Sequence, residues 1–453
     1  MARATIQQRA LDRARLEYPG PIVREAVGSE RLEIALAKGG TQRGSGGRGK
    51  RVVIVYHYFA HYREAVLREL LEHGRHTYDF AGDTKDDGKG IRLTDAIPED
   101  RFVRAPCRYL GPLMLQPRAL GLALSGTYDA LILLGNAMWP TMWLAAILGR
   151  LRGKRVYFWT HGWQQHERGL KALVRNTFYR LAHGLLLYGH YAKMIGLSHG
   201  FDPDRMHVIY NSLDYDRQRA VRGSLDADAI AARREACYGS GDLPGVIAIT
   251  RLQRAKKLHM LIEAAALCAE RGSPIALLFV GDGPERAALE AKAEAMGVRA
   301  HFFGACYDEH AISEMFAASH LCCIPGPAGL TVMHSMANRT PFVTNDDVST
   351  QGPEYEAVVP GETGAVFRDG DAADLAEKIL ACVGNAELMS GGGRVCPVSI
   401  IERFFNPVTQ RVLIDRAMDG DSADDLYAAF NGPLYTTARA GSSSESPAVA
   451  SAD

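Results

Sequence analysis

GVIAITRLQRAKKLHMLIEAAALCAERGSPIALLFVGDGPER (245–286) decides the fold. GVIAIT (245–250) is short, apolar and β-branched, as a strand buried on both faces should be. A basic loop follows, then a helical pattern near 257–271 that ends in Arg-Gly-Ser. PIALLFV (274–280) is a second buried strand, closed by the glycine turn GDGP (281–284). The alternation continues with a helix over 285–295, HLCCIP (320–325), a helix over 331–338, PFVT (341–344) and a helix over 372–383. Strands alternating with helices imply parallel sheets built from right-handed crossovers.

An earlier series has the same grammar. RVVIVY (51–56) leads into REAVLRELLEH (63–73), and ALILL (130–134) into TMWLAAILGRL. KRVYFW (154–159) precedes a helical segment reaching about 182, and HVIY (207–210) closes the series. The expected architecture is α/β: two doubly wound parallel-sheet lobes facing a central cleft, with ligand at the carboxyl ends of the strands. The expected domains are a flexible basic N-terminal extension (1–50), a first lobe (51–211) and an interdomain connection (212–244). A second lobe (245–395), C-terminal helices (396–420) and a flexible tail (421–453) complete the chain.

Composition narrows the class. The chain has 453 residues, with 52 Lys and Arg against 52 Asp and Glu, and 47% apolar residues. That length suits two or three domains, and a formal charge of zero gives no global case for binding nucleic acid. The eight cysteines lack the two-residue spacing of zinc or redox motifs, and Cys322 and Cys323 sit in an apolar run as buried thiols. The polar start MARATIQQRALDRARLE is not a secretory signal, so a cytoplasmic location is expected. Residues 130–149 are uncharged and long enough to span a bilayer, but Gly135, Asn136 and Trp139-Pro140 break them into a core strand and a helix.

Chemistry concentrates at strand ends. A dinucleotide enzyme would follow its first strand with G-x-G-x-x-G, whereas RVVIVY runs into glycine-free HYFAHYREAV. In the second lobe, Arg251 and Lys256 place two cations on the loop leaving a strand, which suits a diphosphate. Gly281, Asp282 and Gly283 form a tight turn that lets backbone approach a base or phosphate. In PGPAGLTVMHSMANRTPFVT (325–344), Thr331 is placed to cap a helix. The amides of Gly329, Leu330 and Thr331 would then face an anion, with His334 one turn in.

Taken together, residues 245–385 resemble the donor-binding lobe of retaining glycosyltransferases of family 4, which have the GT-B fold of two Rossmann-like lobes. The resemblance runs through R-L-x-x-x-K (251–256), L-I-E-A (261–264), V-G-D-G-P-E-R (280–286) and F-x-G-A-C (302–306). It continues through P-x-x-x-G-L-T-x-x-H-S-M-A (325–337), G-P-E-Y-E-A (352–357) and G-E-T-G (361–364). The first lobe is similar to a bacterial subset of that family through H-Y-F-A-H-Y-R (57–63), F-W-T-H-G-W (158–163), L-Y-G-H-Y-A-K (187–193) and V-I-Y-N-S-L-D (208–214).

The resemblance implies transfer of a hexosyl or related sugar, with retained configuration, from a nucleotide-diphosphate sugar to a glycan or lipid-linked acceptor. Arg251 and Lys256 would neutralise the departing diphosphate, and His161 would contact the sugar. Gly281, Asp282, Gly283, Gly329, Leu330, Thr331, His334 and Glu354 would bind the donor. His57, Tyr62 and Arg63 would lie on the acceptor side. No metal and no cofactor is implied, and no nucleic-acid partner. Bacterial surface polysaccharide or glycolipid assembly on the cytoplasmic face of the membrane is the expected setting.

One departure stands out. The family's helix carries a Glu, seven residues and a second Glu; here those positions are Gly326 and His334. Glu354 or Glu356 is the carboxylate left to approach the sugar, and the alternative is a catalytically degenerate homologue that binds a partner or a glycan. LKALVRNTFYRLAHGLLLYG (170–189) reads as an amphipathic helix packed on the sheet. Its Lys171, Arg175, Arg180, Phe178 and Tyr179 also fit a face resting on an anionic inner membrane.

Overall fold

A computed structural model describes residues 49–86, 88, 91–239, 243–389 and 395–423. Residues 1–48 and 424–453, which hold nearly all of the expected extension and tail, lie outside the described residues.

The first lobe is built on β1 (Arg51–Val55), β2 (Thr77–Gly82), β3 (Phe102–Arg104), β6 (Ala130–Leu134), β7 (Arg155–Thr160), β8 (Gly184–Leu187) and β9 (Met206–Val208). A small antiparallel hairpin, β4 (Arg108–Leu110) and β5 (Leu113–Leu115), stands beside them. The second lobe comprises β10 (Gly245–Ile249), β11 (Ala276–Val280), β12 (Ala300–Gly304), β13 (Leu321–Cys323), β14 (Phe342–Asn345) and β15 (Gly364–Phe367).

Both sheets are parallel throughout. The spatial orders are β3-β2-β1-β6-β7-β8-β9 and β12-β11-β10-β13-β14-β15. In each, chain order reverses beside the first strand, between β1 and β6 and between β10 and β13. Ligands bind at such switch points because the connections on either side diverge to opposite faces and leave a crevice. The loops after β1 and β10, which carry His57–Arg63 and Arg251–Lys256, therefore face the two crevices.

The core follows from the strand sequences. Val52 to Val55, Leu131 to Leu133, Val246 to Ala248 and Leu321 to Cys323 are fully buried, as expected for central strands covered on both faces. Cys322 and Cys323 are core thiols. Residues 130–149 divide into β6 and a helix, Pro140–Leu151, as their punctuation requires.

One feature differs from expectation and two add to it. The run 170–189 is not one helix: Gly169–Arg180 ends there, and GLLL becomes β8 in the sheet. Phe178 and Tyr179 are buried in the core, so the outward face of that helix is not aromatic. The connection 212–244 contains two helices, and the second, Ala227–Tyr238, is bound to the second lobe through Arg233–Glu314 at 2.7 Å and Tyr238–Ser319 at 2.6 Å. Near the C-terminus, helix Pro407–Asp419 crosses back to the first lobe, where Tyr78 donates to Asp415 at 2.8 Å and Tyr157 to the Ala417 carbonyl at 2.7 Å.

Candidate functional site

Between the lobes lies a cavity of about 720 Å³. Its second-lobe wall holds Thr250 and Arg251 after β10, Gly281 and Asp282 after β11, and Leu330, Thr331 and His334 after β13. His61, Tyr62, Glu64 and Arg92 face it from the first lobe, and Asp214 and Arg217 from the connection. Seven of the sequence-predicted residues therefore share one cavity: Tyr62, Arg251, Gly281, Asp282, Leu330, Thr331 and His334.

The wall is held by backbone pairing. The Thr250 N–H donates to Val280 and the Leu252 N–H to the Asp282 carbonyl, which locks the β10 and β11 exits together. Gly281 has φ +136°, and a Cβ there would lie 1.9 Å from the Thr250 carbonyl oxygen. Only glycine permits that approach.

Thr331 does not cap its helix. It is the first residue of Thr331–Ala337, behind a helical Leu330, and its hydroxyl donates to the Ile249 carbonyl at 3.2 Å. The hydroxyl thus ties the helix to the end of β10 instead of its own first turn. His334 bonds through Nε2 to Glu309 at 2.8 Å, and both line the cavity. Burial works to raise the Glu309 pKa, but the bond and charge of His334 outweigh it and hold the carboxyl below its ordinary value.

Lys256 lies off the cavity lining. Its Nζ donates to the Pro327 carbonyl, and burial lowers its pKa. Gly283 and Gly329 are also off the lining. Gly326 is locked against the Lys256 loop: its N–H donates to the Lys256 carbonyl at 2.9 Å, and a Cβ would sit 2.2 Å from the Ala255 carbonyl oxygen.

Arg63 and His161 form a second group in the first lobe. Arg63 lies over Tyr56 and Trp159 at 4.7 and 5.4 Å, and donates to the Tyr56 and Tyr188 hydroxyls at 2.9 and 2.6 Å. Burial works to lower its pKa, but the surrounding tyrosines prevail and hold it above the ordinary value. His161 packs on Tyr188 at 4.7 Å between ring centroids and stays open to solvent within a recess. Desolvation and then the Arg63 charge push its pKa down to about 4. It is neutral at neutral pH and able to hydrogen-bond a hydroxyl. His57 is packed against Tyr58 and Trp139, off both cavities.

The two carboxylates after β14 are engaged across the lobes. Glu354 accepts from Asn211 Nδ2 at 2.7 Å, and burial raises its pKa. Glu356 accepts the N–H groups of His190 and Tyr191 at 2.9 and 2.8 Å. Sequence reasoning missed Glu309, Arg92 and Arg217. A carboxylate directly after a helix cap was the available signal for Glu309, since Asp308 caps the helix Glu309–Ala318 through the Ala311 N–H at 2.7 Å.

Residues 240–390 match the family Glycosyl transferases group 1. The chain is 32% identical over 126 residues to a putative glycosyltransferase, EpsD, of Bacillus subtilis, a match covering 27% of this chain and 32% of that one. It is 31% identical over 163 residues to alpha-D-kanosaminyltransferase of Streptomyces kanamyceticus, covering 34% and 41%. The chain thus spans about a third to two fifths of the length of these curated relatives. The structure of Anabaena Alr3699/HepE in complex with UDP superposes with a TM-score of 0.62 at 18% identity, covering 82% of this chain and 100% of that one. The fold is GT-B, and its second lobe matches the group 1 glycosyl transferase family.

Proposed function

We propose that the protein is a retaining, metal-independent glycosyltransferase. It moves a sugar from a nucleotide-diphosphate donor to a glycan or lipid-linked acceptor in surface polysaccharide or glycolipid assembly at the cytoplasmic face of the membrane. The observation that carries this reading is the interlobe cavity at both switch points, with Arg251 and the Gly281-Asp282 turn on one wall and Tyr62 on the other. A guanidinium at a strand exit matches a diphosphate. Lys256 would act from behind, by holding the 325–329 loop.

In the transfer, the acceptor hydroxyl attacks the anomeric carbon as the bond from that carbon to the phosphate oxygen breaks. Attack and departure share one face, so configuration is retained. A donor phosphate oxygen takes the hydroxyl proton, and Arg251 stabilises the charge left on the diphosphate. Neutral His161 orients the sugar from the first lobe.

Melting with UDP, GDP, ADP, TDP and CMP, with and without magnesium, tests this directly. A ligand at about 100 times its Kd stabilises by about 2.7 kcal/mol. One nucleoside diphosphate should raise the melt without magnesium, and Arg251→Ala should lose the effect; no response to any of them defeats the reading.

A degenerate, partner-binding homologue is the second reading. The glycine at 326 and the engagement of His334 by Glu309 favour it. Nucleotide binding with neither sugar transfer nor donor hydrolysis, across donors of the matching base, would select it.

A further inference from the structure

We propose that the outer face of the first lobe is a docking surface for an anionic lipid bilayer. Residues 102–201 contain twelve Lys and Arg but only two acidic residues, Asp129 and Glu167, in a chain whose formal net charge is zero. Glu167 is itself bound by Lys171 and Arg175, at 2.9 and 2.7 Å. This stretch, which ends just before Asp202 and Asp204, therefore carries a local positive charge that the whole-chain balance hides.

That charge coincides with apolar exposure. Leu144, Ile147 and Leu151 recur at helical spacing on the outer side of Pro140–Leu151, with Leu151 77% exposed. Leu170, Leu173 and Val174 do the same on Gly169–Arg180, with Leu170 74% exposed. On the β4–β5 hairpin, Tyr109, Leu110 and Leu113 are exposed as well. These are not scattered surface leucines of the kind every protein has.

Topology joins them. The steps β6 to β7 and β7 to β8 run in one direction along the sheet, so their right-handed crossover helices lie on one face. Trp143 and Phe178 pack at 5.0 Å between the two helices, and Arg150 donates to the Leu181 carbonyl at 3.1 Å. On the hairpin side, the Gln116 N–H donates to Thr141 of the first of these helices at 2.9 Å. Arg108 lies on the hairpin, Arg118 begins the short helix after it, Arg150 and Arg152 lie at the end of the first crossover helix, and Lys171 and Arg180 lie on the second; all six are exposed.

An apolar face carrying these cations, with Asp202 beside Arg180 at one edge, matches a bilayer bearing anionic headgroups. Leucines enter the acyl boundary while arginines meet phosphates. Leu170 opens the helix that follows the loop bearing His161, so the surface reaches the cleft rim. On the proposed function, a lipid-linked acceptor would enter there; docking itself does not depend on that reading.

The test is co-sedimentation of the full chain with phosphatidylcholine vesicles, with and without phosphatidylglycerol. The protein should bind only the vesicles containing phosphatidylglycerol, and salt should release it. Each cation removed near the surface should weaken binding about fivefold. Arg118→Glu/Arg152→Glu and Leu144→Ser/Leu151→Ser should each lose at least about tenfold while melting and nucleotide response stay at wild-type values. Absence of binding to anionic vesicles, or variants that bind like wild type, overturns the proposal. So does a dimer in sedimentation velocity that Leu151→Asp dissolves, because a second copy would then cover this face. A protein that binds vesicles but no nucleotide refutes the transferase reading and leaves the surface standing.

Discussion

The Glu356 carboxylate, on the second lobe, accepts the His190 N–H at 2.9 Å at the start of a first-lobe helix, His190–Ser198. Its other oxygen takes the Tyr191 N–H at 2.8 Å, so one side chain satisfies two of the four donors that a helix start leaves open. Two residues earlier, Glu354 reaches Asn211 at the end of the first lobe. The short segment after β14 thus fastens the lobes together beside the cleft.

This fastening should be pH-sensitive. Burial raises the Glu356 pKa to about 7, against 4.5 for a free glutamate, although both N–H bonds oppose the shift. The folded state binds this proton more tightly than the unfolded state. The resulting stabilisation is complete below pH 4.5 and is lost as pH rises through 7. The span is about 3 kcal/mol. Melting temperatures from pH 5 to 8 should fall for wild type and stay flatter for Glu356→Gln. Parallel curves would show that Glu356 does not titrate in this range.

Arg63 acts on His161 through charge. Desolvation and the Arg63 cation together hold the His161 pKa near 4. Arg63→Ala should therefore raise the His161 pKa toward the ordinary histidine value, read by NMR titration of the imidazole, and Arg63→Lys should leave it low. An unchanged pKa in the alanine variant would mean that desolvation alone sets it.

Arg251 and Lys256 should separate in experiment. Arg251 is exposed on the cavity wall, whereas Lys256 is partly buried and bound to the Pro327 carbonyl. Arg251→Ala should weaken nucleoside diphosphate binding by about 10- to 100-fold with little change in the ligand-free melt. Lys256→Ala should lower the ligand-free melt as well, by about 1 kcal/mol, because a half-buried carbonyl loses its donor. Calorimetric titration together with melting decides between them. Equal effects on both readouts would show that the two cations are equivalent.

How much of this was legible depended on whether a residue's role was local. β6 and the helix after it were readable because an apolar run broken by Gly135, Asn136 and Pro140 has one sensible division. β8 was not, since GLLL continues the apolar pattern of the preceding helix and only the sheet decides its state. β2 was hidden by Asp79 in its middle, a charge made tolerable by Arg51 and Arg101 at 2.9 and 2.7 Å. The cavity wall followed from strand ends and glycines. The Glu309–His334 pair did not, because its partners lie on different helices, 25 residues apart.

Gly326 gives the sharpest test of the departure from the two-glutamate pattern. Its position is fixed by the Lys256 loop: the N–H bond to Lys256 holds the backbone, and any Cβ collides with the Ala255 carbonyl at 2.2 Å. Neither obstacle is a side chain that can rotate away, so a substitution must move one of the two loops. Gly326→Ala should cost about 1–3 kcal/mol in melting. It should also weaken nucleotide binding, because Arg251 lies at the start of the loop that would shift. Gly326→Glu should do worse on both counts, and should not raise transfer or hydrolysis above wild type even when paired with His334→Glu. A gain of activity in the double variant would mean that the backbone adapts to the missing carboxylate, and that this chain is one loop adjustment away from the usual two-glutamate site.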